Sequence, residues 1–161
     1  MDIESASQYA EVFGLITIIG AIIFSWYQIH LIRKERKSAA AFKLTEVFQD
    51  PTFAHGMHVV FNSPNNLNAK EFEKLHAEHM KDIVTLMTTW ESIGAMIFRN
   101  ELDWDLMYDY FAGAIVVTFK KTEHVIKDWR EENNRGSYFE WMQWLAERVI
   151  ELESESPPIP A

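Results

Sequence analysis

Between Val12 and Ile32 the chain reads VFGLITIIGAIIFSWYQIHLI. From Val12 to Tyr27 it carries no charge, and its only polar side chains are the hydroxyls of Thr17, Ser25 and Tyr27. A helix needs about 20 such residues to cross a hydrocarbon core of about 30 Å. In lipid every backbone N–H and C=O must be satisfied within the segment, and a helix does this. The stretch predicts one transmembrane helix over residues 9–32.

The flanks set its direction. Asp2, Glu4 and Glu11 precede it, and no Lys or Arg does; Arg33, Lys34, Arg36 and Lys37 follow at once, then Lys43. Basic residues stay on the cytoplasmic side. The expected arrangement is a short external N-terminus over residues 1–8 and a cytoplasmic C-terminal part, in a bacterial inner (plasma) membrane. Trp26 and Tyr27 stand where the helix leaves the hydrocarbon. A cleaved signal peptide would need a basic start and a shorter apolar core, and this chain has neither. Arg33, Lys34, Arg36 and Lys37 are placed to meet anionic lipid headgroups. With a net charge of −9, nucleic acid is not an expected partner.

Ala10, Gly14, Thr17, Ala21 and Ser25 recur at steps of three and four and so share one helical face. Small faces let membrane helices approach closely. The face predicts contact with another membrane protein or with a second copy.

After the span nothing breaks a helix until Asp50-Pro51, which reads as an N-cap followed by Pro at the first helical position. Residues 33–50 are expected to continue the membrane helix. A short helix with Phe53, Met57, Val60 and Phe61 on its apolar side follows, and Gly56 weakens it. Asn68 and Glu71 have capping-box spacing, and so do Ser137 and Glu140. From Phe72 through Leu75, His79, Ile83, Leu86, Trp90, Ile93 and Ile97 the steps are all three or four, which predicts a helix over Ala69–Asn100. Asp103–Asn133 reads as a second long helix, with Met107, Phe111, Ile115, Phe119 and Trp129 inward. The last helix carries Phe139, Met142, Leu145 and Val149 on one face. No stretch alternates as a strand should.

The expected class is all-α: a single transmembrane helix, then a small cytoplasmic helical domain over residues 51–153. That domain is built on a long antiparallel helix hairpin with Trp90 and Phe111 in its core. Residues 154–161, with Pro157, Pro158 and Pro160, form a Pro-rich tail that cannot be helical.

The chain has no Cys, which excludes disulfides, zinc–thiolate sites and thiol nucleophiles. It has no P-loop, G-x-S-x-G, G-x-G-x-x-G or H-E-x-x-H motif. Histidine offers the only metal candidates. His55 and His58 are three apart, as are His76 and His79, and Glu73 stands three before His76. That last pair matches one half of a di-iron motif, whose second half is missing. His79 lies on the packing stripe and reads first as a core histidine. Glu91 beside that stripe reads as a paired structural charge rather than a tuned acid. Trp141 and Trp144 widen the last helix's apolar face and are candidate anchors for a partner.

The residues Trp90-Glu91-Ser92-Ile93-Gly94, then Leu102-Asp103 ahead of Leu106, and Tyr138-Phe139-Glu140-Trp141 resemble a bacterial family of unknown function. Its members have one N-terminal membrane helix and a small helical cytoplasmic domain. The resemblance implies this architecture; it brings no reaction, cofactor or catalytic residue. The expected function is a non-catalytic accessory or scaffold subunit of a membrane protein complex, without a cofactor. The alternatives are a metal-binding or metal-sensing protein using the paired His, and a membrane-tethered signalling or defence component.

Overall fold

The computed structural model describes residues 3–155, with the side chains of residues 13–32, 35, 44 and 46–155. The side chains of Ala10, Arg33, Lys34, Arg36 and Lys37, and the Pro-rich tail from Ser156, lie outside the described residues. Six α-helices and one 3₁₀ turn follow in order, and no strand occurs among the described residues. They are α1 (Ile3–Phe48), α2 (Pro51–Phe61), α3 (Ala69–Leu75), a 3₁₀ turn (Ala77–His79), α4 (Met80–Phe98), α5 (Trp104–Glu132) and α6 (Glu140–Glu155). The protein is all-α. It forms two compact units, residues 1–39 and 40–161.

The first unit is helix alone. Phe13–Ile32 is long and apolar enough to cross a membrane, and none of it is buried within the chain. Phe13 and Trp26 are 68% and 73% exposed, so the segment has no apolar cover of its own. The Thr17 hydroxyl donates to the Phe13 carbonyl (2.7 Å) and so needs no partner outside the helix.

The second unit begins within the last turns of α1. Leu44 is buried, and the Phe48 ring lies 3.5 Å from the Phe111 ring, stacked within 7°. Trp90 is fully buried with Phe48 and Phe53 against it. Phe111 is partly buried against this core.

Helix starts follow sequence closely. The Asp50 carboxylate accepts from Thr52 N–H (2.7 Å) and Phe53 N–H (3.1 Å), and Pro51 opens α2. The Asn68–Glu71 capping box is formed in both directions. Asp103 accepts from the N–H groups of Asp105 and Leu106 and starts α5. Asn100 takes the left-handed conformation (φ 57°) that ends α4.

The helix expected over Ala69–Asn100 is divided. It stops at Leu75, His76 leaves helical geometry (φ −113°, ψ 24°), and α4 resumes at Met80. The His76 ring is drawn aside to Ser63, whose hydroxyl it bonds at 2.7 Å. Leu75, read as an inward position, is consequently 56% exposed. Helices α4 and α5 touch each other little; α2 and α6 each pack against both. Phe61, placed on the apolar side of α2, is 37% exposed at its end.

Candidate functional site

The polar residues that could carry chemistry sit at three places on the second unit. The first is where α4 meets α6. Residues 133–139 turn the chain after α5, with Asn134 and Phe139 at positive φ (47° and 55°). Ser137 and Glu140 do not form the expected capping box: Glu140 N–H goes to the Ser137 carbonyl (3.3 Å). The start of α6 is capped instead from α4, where Glu91 Oε2 accepts Met142 N–H at 2.8 Å. Trp141 N–H also bonds this carboxylate. A carboxylate at a helix N-terminus satisfies orphan donors and meets the positive end of the dipole. Burial nonetheless raises the Glu91 carboxyl above its usual value, against the pull of these two N–H groups.

One turn along α4, Gly94 makes the approach possible. A Cβ there would lie 2.3 Å from the Trp141 carbonyl oxygen. Gly56 has the same role between α2 and α4, where a Cβ would lie 2.4 Å from the Asp82 carbonyl oxygen. The sequence reading of Gly56 as a helix weakener missed this. Both glycines could have been suspected from their place inside strong helical patterns, where a better helix former would otherwise serve. Arg130 closes the junction, donating from Nε to the Tyr138 carbonyl (2.8 Å) and from Nη1 to Gln143 Oε1 (2.7 Å).

The second place is the histidine region, and the structure separates most of its candidates. His55 Nδ1 lies 2.6 Å from Asp82 Oδ2, and its ring meets His79 edge-on with centroids 4.9 Å apart. His58 turns to its own helix end, with Nδ1 3.4 Å from Asn62 Nδ2. Glu73 accepts from Trp129 Nε1–H (2.7 Å) rather than turning to His76. Among the described residues no group of three or more His, Asp or Glu side chains is arranged to hold a metal ion.

His76 and Ser63 form a buried pair, 9% and 2% exposed. The Ser63 hydroxyl donates to the Val59 carbonyl (3.0 Å), so His76 Nε2–H must donate to Ser63 Oγ. Lys121 donates to the Ser63 carbonyl. This serine is a fastener between α2, α5 and the His76 bend, with its proton already committed.

Burial holds the His76 imidazole below its usual 6.5, and the nearby His79 charge acts in the same direction. The folded chain therefore favours neutral His76. Its contribution to stability is full above 6.5 and is lost as pH falls through the folded value, because the unfolded chain takes up the proton first. We expect the urea midpoint to drop less between pH 7 and pH 5 in His76→Gln than in the parent. Equal drops would remove His76 as a source of acid sensitivity.

The third place is an open groove of about 440 Å³ bordered by Glu46, Asp50, Lys81, Thr85 and Thr89. Its polar groups are largely committed. Asp50 caps α2, which holds its carboxyl below the usual range through the Phe53 and Thr52 N–H groups. Thr85 and Thr89 donate to the Lys81 and Thr85 carbonyls. Among the described residues Trp90 Nε1 is the only buried side-chain polar atom without a hydrogen-bond partner.

Trp141 and Trp144 are both half-buried, and they meet a residue that sequence reasoning left aside. Phe98, 58% exposed at the end of α4, lies 4.7 Å from the Trp141 ring and 5.5 Å from the Trp144 ring.

The family described as a domain of unknown function, DUF4760, matches residues 15–149. The chain belongs to this family. The match takes in most of the apolar helix, all of the divided helical body and the first two turns and more of α6. No curated protein and no solved structure matches the chain. In this DUF4760 chain the residues that carried the resemblance have structural work. Trp90 and Ile93 are buried, Glu91 caps α6, Gly94 admits it, Leu102 is buried and Asp103 starts α5.

Proposed function

We propose that this DUF4760 protein is a single-pass membrane protein, N-terminus outside and helical domain in the cytoplasm, that serves as a non-catalytic accessory or scaffold subunit of a membrane protein complex. One observation carries the reading: a 20-residue apolar helix with no part of it buried by its own chain. Such a surface needs lipid and offers packing only to another helix. The family match begins at Leu15, inside that helix, which supports a segment retained with the domain. The basic residues after the span support the cytoplasmic placement of the domain. The carboxylates and imidazoles with catalytic potential serve as caps and fasteners, which supports a role in assembly. A signalling or defence role would be distinguished by what the protein assembles with.

Gly14, Thr17, Ala21 and Ser25 are all exposed on the span, and a Cβ at Gly14 would meet nothing within 4 Å. A partner helix on this face needs that space. Gly14→Leu and Ala21→Leu should hold the backbones apart and reduce the complex recovered in mild detergent several-fold, while insertion is unaffected. Ile18→Leu and Ile22→Leu, off the face and nearly volume-conserving, should change little. Recovery is measured by native purification, with mass spectrometry of the co-eluting proteins. Parental recovery for both Leu variants would overturn the span contact.

A further inference from the structure

We propose that His55 and His79 together bind a divalent transition-metal ion between α2 and the start of α4, with Asp82 orienting the His55 ring. Such a site is independent of the span and goes beyond the accessory-subunit reading. Spacing in the chain points to His55 with His58 and to His76 with His79. The fold instead sets His55 against His79.

The Asp82 carboxylate can only accept, so His55 Nδ1 carries the proton in their 2.6 Å bond. Nε2 of the neutral ring then keeps its lone pair. A ligating histidine almost always gives its other N–H to a carboxylate, carbonyl or water, which fixes the tautomer and makes the ring a stronger ligand. The His79 imidazole makes its ring contact with His55 and no hydrogen bond among the described residues. No third His, Asp or Glu completes a metal-binding group with them there, so the site is one of two imidazoles, with water filling the shell.

The rings stand as neighbouring ligands of one ion stand. A zinc–imidazole bond of about 2.0–2.1 Å, with about 1.1 Å more from nitrogen to ring centre, puts each centroid about 3.2 Å from the ion. Two such rings are about 4.5 Å apart at a right angle and about 5.2 Å apart at the tetrahedral angle. The observed centroids are 4.9 Å apart, with 78° between the ring planes. Imidazole ligands suit Zn²⁺, Cu²⁺ and Ni²⁺.

Both ligands sit at a fixed junction. Gly56, next to His55, lets α2 lie close against α4, where a Cβ at position 56 would clash with the Asp82 carbonyl. His79 ends the 3₁₀ turn that follows the His76 bend, and α4 starts at the next residue. An ion held by both rings ties α2 to the head of α4. Because the unfolded chain has no such pair, binding stabilises the folded arrangement.

The test uses the full chain without a polyhistidine tag, in mild detergent, after metal is stripped with a chelator. Zn²⁺ is titrated in competition with a chromophoric chelator, and urea unfolding is followed with and without the ion. We expect one ion per chain and a urea midpoint that rises with Zn²⁺. His55→Gln and His79→Gln should each weaken binding about tenfold or more and remove the rise, and the double variant should be no worse than either single one. Asp82→Asn should weaken binding about tenfold. His58→Gln, exposed on the same helix, should bind like the parent. His55 and His79 both reach solvent, and if one Gln variant folds poorly the other reads the site. Parental affinity in the His55 and His79 variants, or an equal loss with His58→Gln, overturns the proposal. Binding that does not saturate and is indifferent to Asp82→Asn means an adventitious ion only, and overturns it too.

Discussion

Gly94→Ala should lower the unfolding free energy by about 2 kcal/mol or more, the scale of an overpacked core. The added Cβ would lie 2.3 Å from the Trp141 carbonyl oxygen and 2.8 Å from its carbon. Both are backbone atoms, so no side chain can rotate away and α6 itself must move off α4. Helix propensity works the other way, since Ala is favoured over Gly by about 1 kcal/mol in a helix interior. The expected loss is what remains after that gain. Gly113→Ala isolates the propensity effect, because a Cβ there meets nothing within 4 Å. It should stabilise by about 0.5–1 kcal/mol. Urea unfolding of the full chain in one detergent, followed by tryptophan fluorescence, gives both numbers. Similar midpoints for the two variants would mean that α6 does not rest on Gly94.

Glu91→Ala is the second large effect. It removes the acceptor for Met142 N–H and Trp141 N–H, and leaving buried donors unpaired costs about 1–3 kcal/mol. Glu91→Gln keeps an acceptor oxygen and discards the charge. The direction of its effect follows from the titration. Burial raises the Glu91 carboxyl above 4.5; the Met142 and Trp141 N–H groups pull the other way, Glu140 adds to the rise and Arg130 opposes it. A carboxyl with a raised folded value contributes stability that is full below its unfolded value and is lost as pH rises through the folded value. At pH 7, above the unfolded value of 4.5, the parent therefore bears a cost that a neutral side chain does not. Glu91→Gln should match or exceed the parent there, and its advantage should shrink as pH is lowered through that window. Glu91→Ala should fall below both. If the Gln variant were as unstable as the Ala variant at pH 7, the ionised carboxylate rather than a mere acceptor would be holding α6.

These two residues show which parts of the fold could be read from sequence. Local chemistry was legible. Asp50-Pro51, Asn68 with Glu71, and Asp103 each start a helix by bonds that span two or three residues, and their spacing is visible in the chain. The apolar period of α4 and α5 likewise picked out Trp90, Ile115 and Trp129 as interior. What was not legible depends on partners far away in sequence. The Ser137–Glu140 spacing is right for a cap, yet the donors of α6 are taken by Glu91. The periodic stripe through His79 is unbroken on paper, yet Ser63 draws His76 out of the helix. The paired histidines share spacing but not direction, because Asp82, Asn62 and Ser63 engage His55, His58 and His76 in turn, and Trp129 takes Glu73. Of the aromatic cluster at the α4–α6 junction, sequence supplied the two Trp on α6; Phe98 comes from the end of α4 and was invisible until the helices met.

The bond between Glu91 and Met142 closes a separation of 51 residues, and that has a bearing on the order of assembly during synthesis. Domains form as the chain emerges from its N-terminal side, and contacts that close long loops come late. When α4 has left the ribosome, its Glu91–Gly94 face has nothing to hold. The face stays open through the synthesis of all of α5. Helix α6 then arrives with its first turn uncapped by its own sequence and gains its acceptor only on landing beside Gly94. The last helix is thus a closing latch. A nascent chain stalled before Ser137 would leave Glu91, Ile93 and Ile97 uncovered, the kind of surface that chaperones and proteases read.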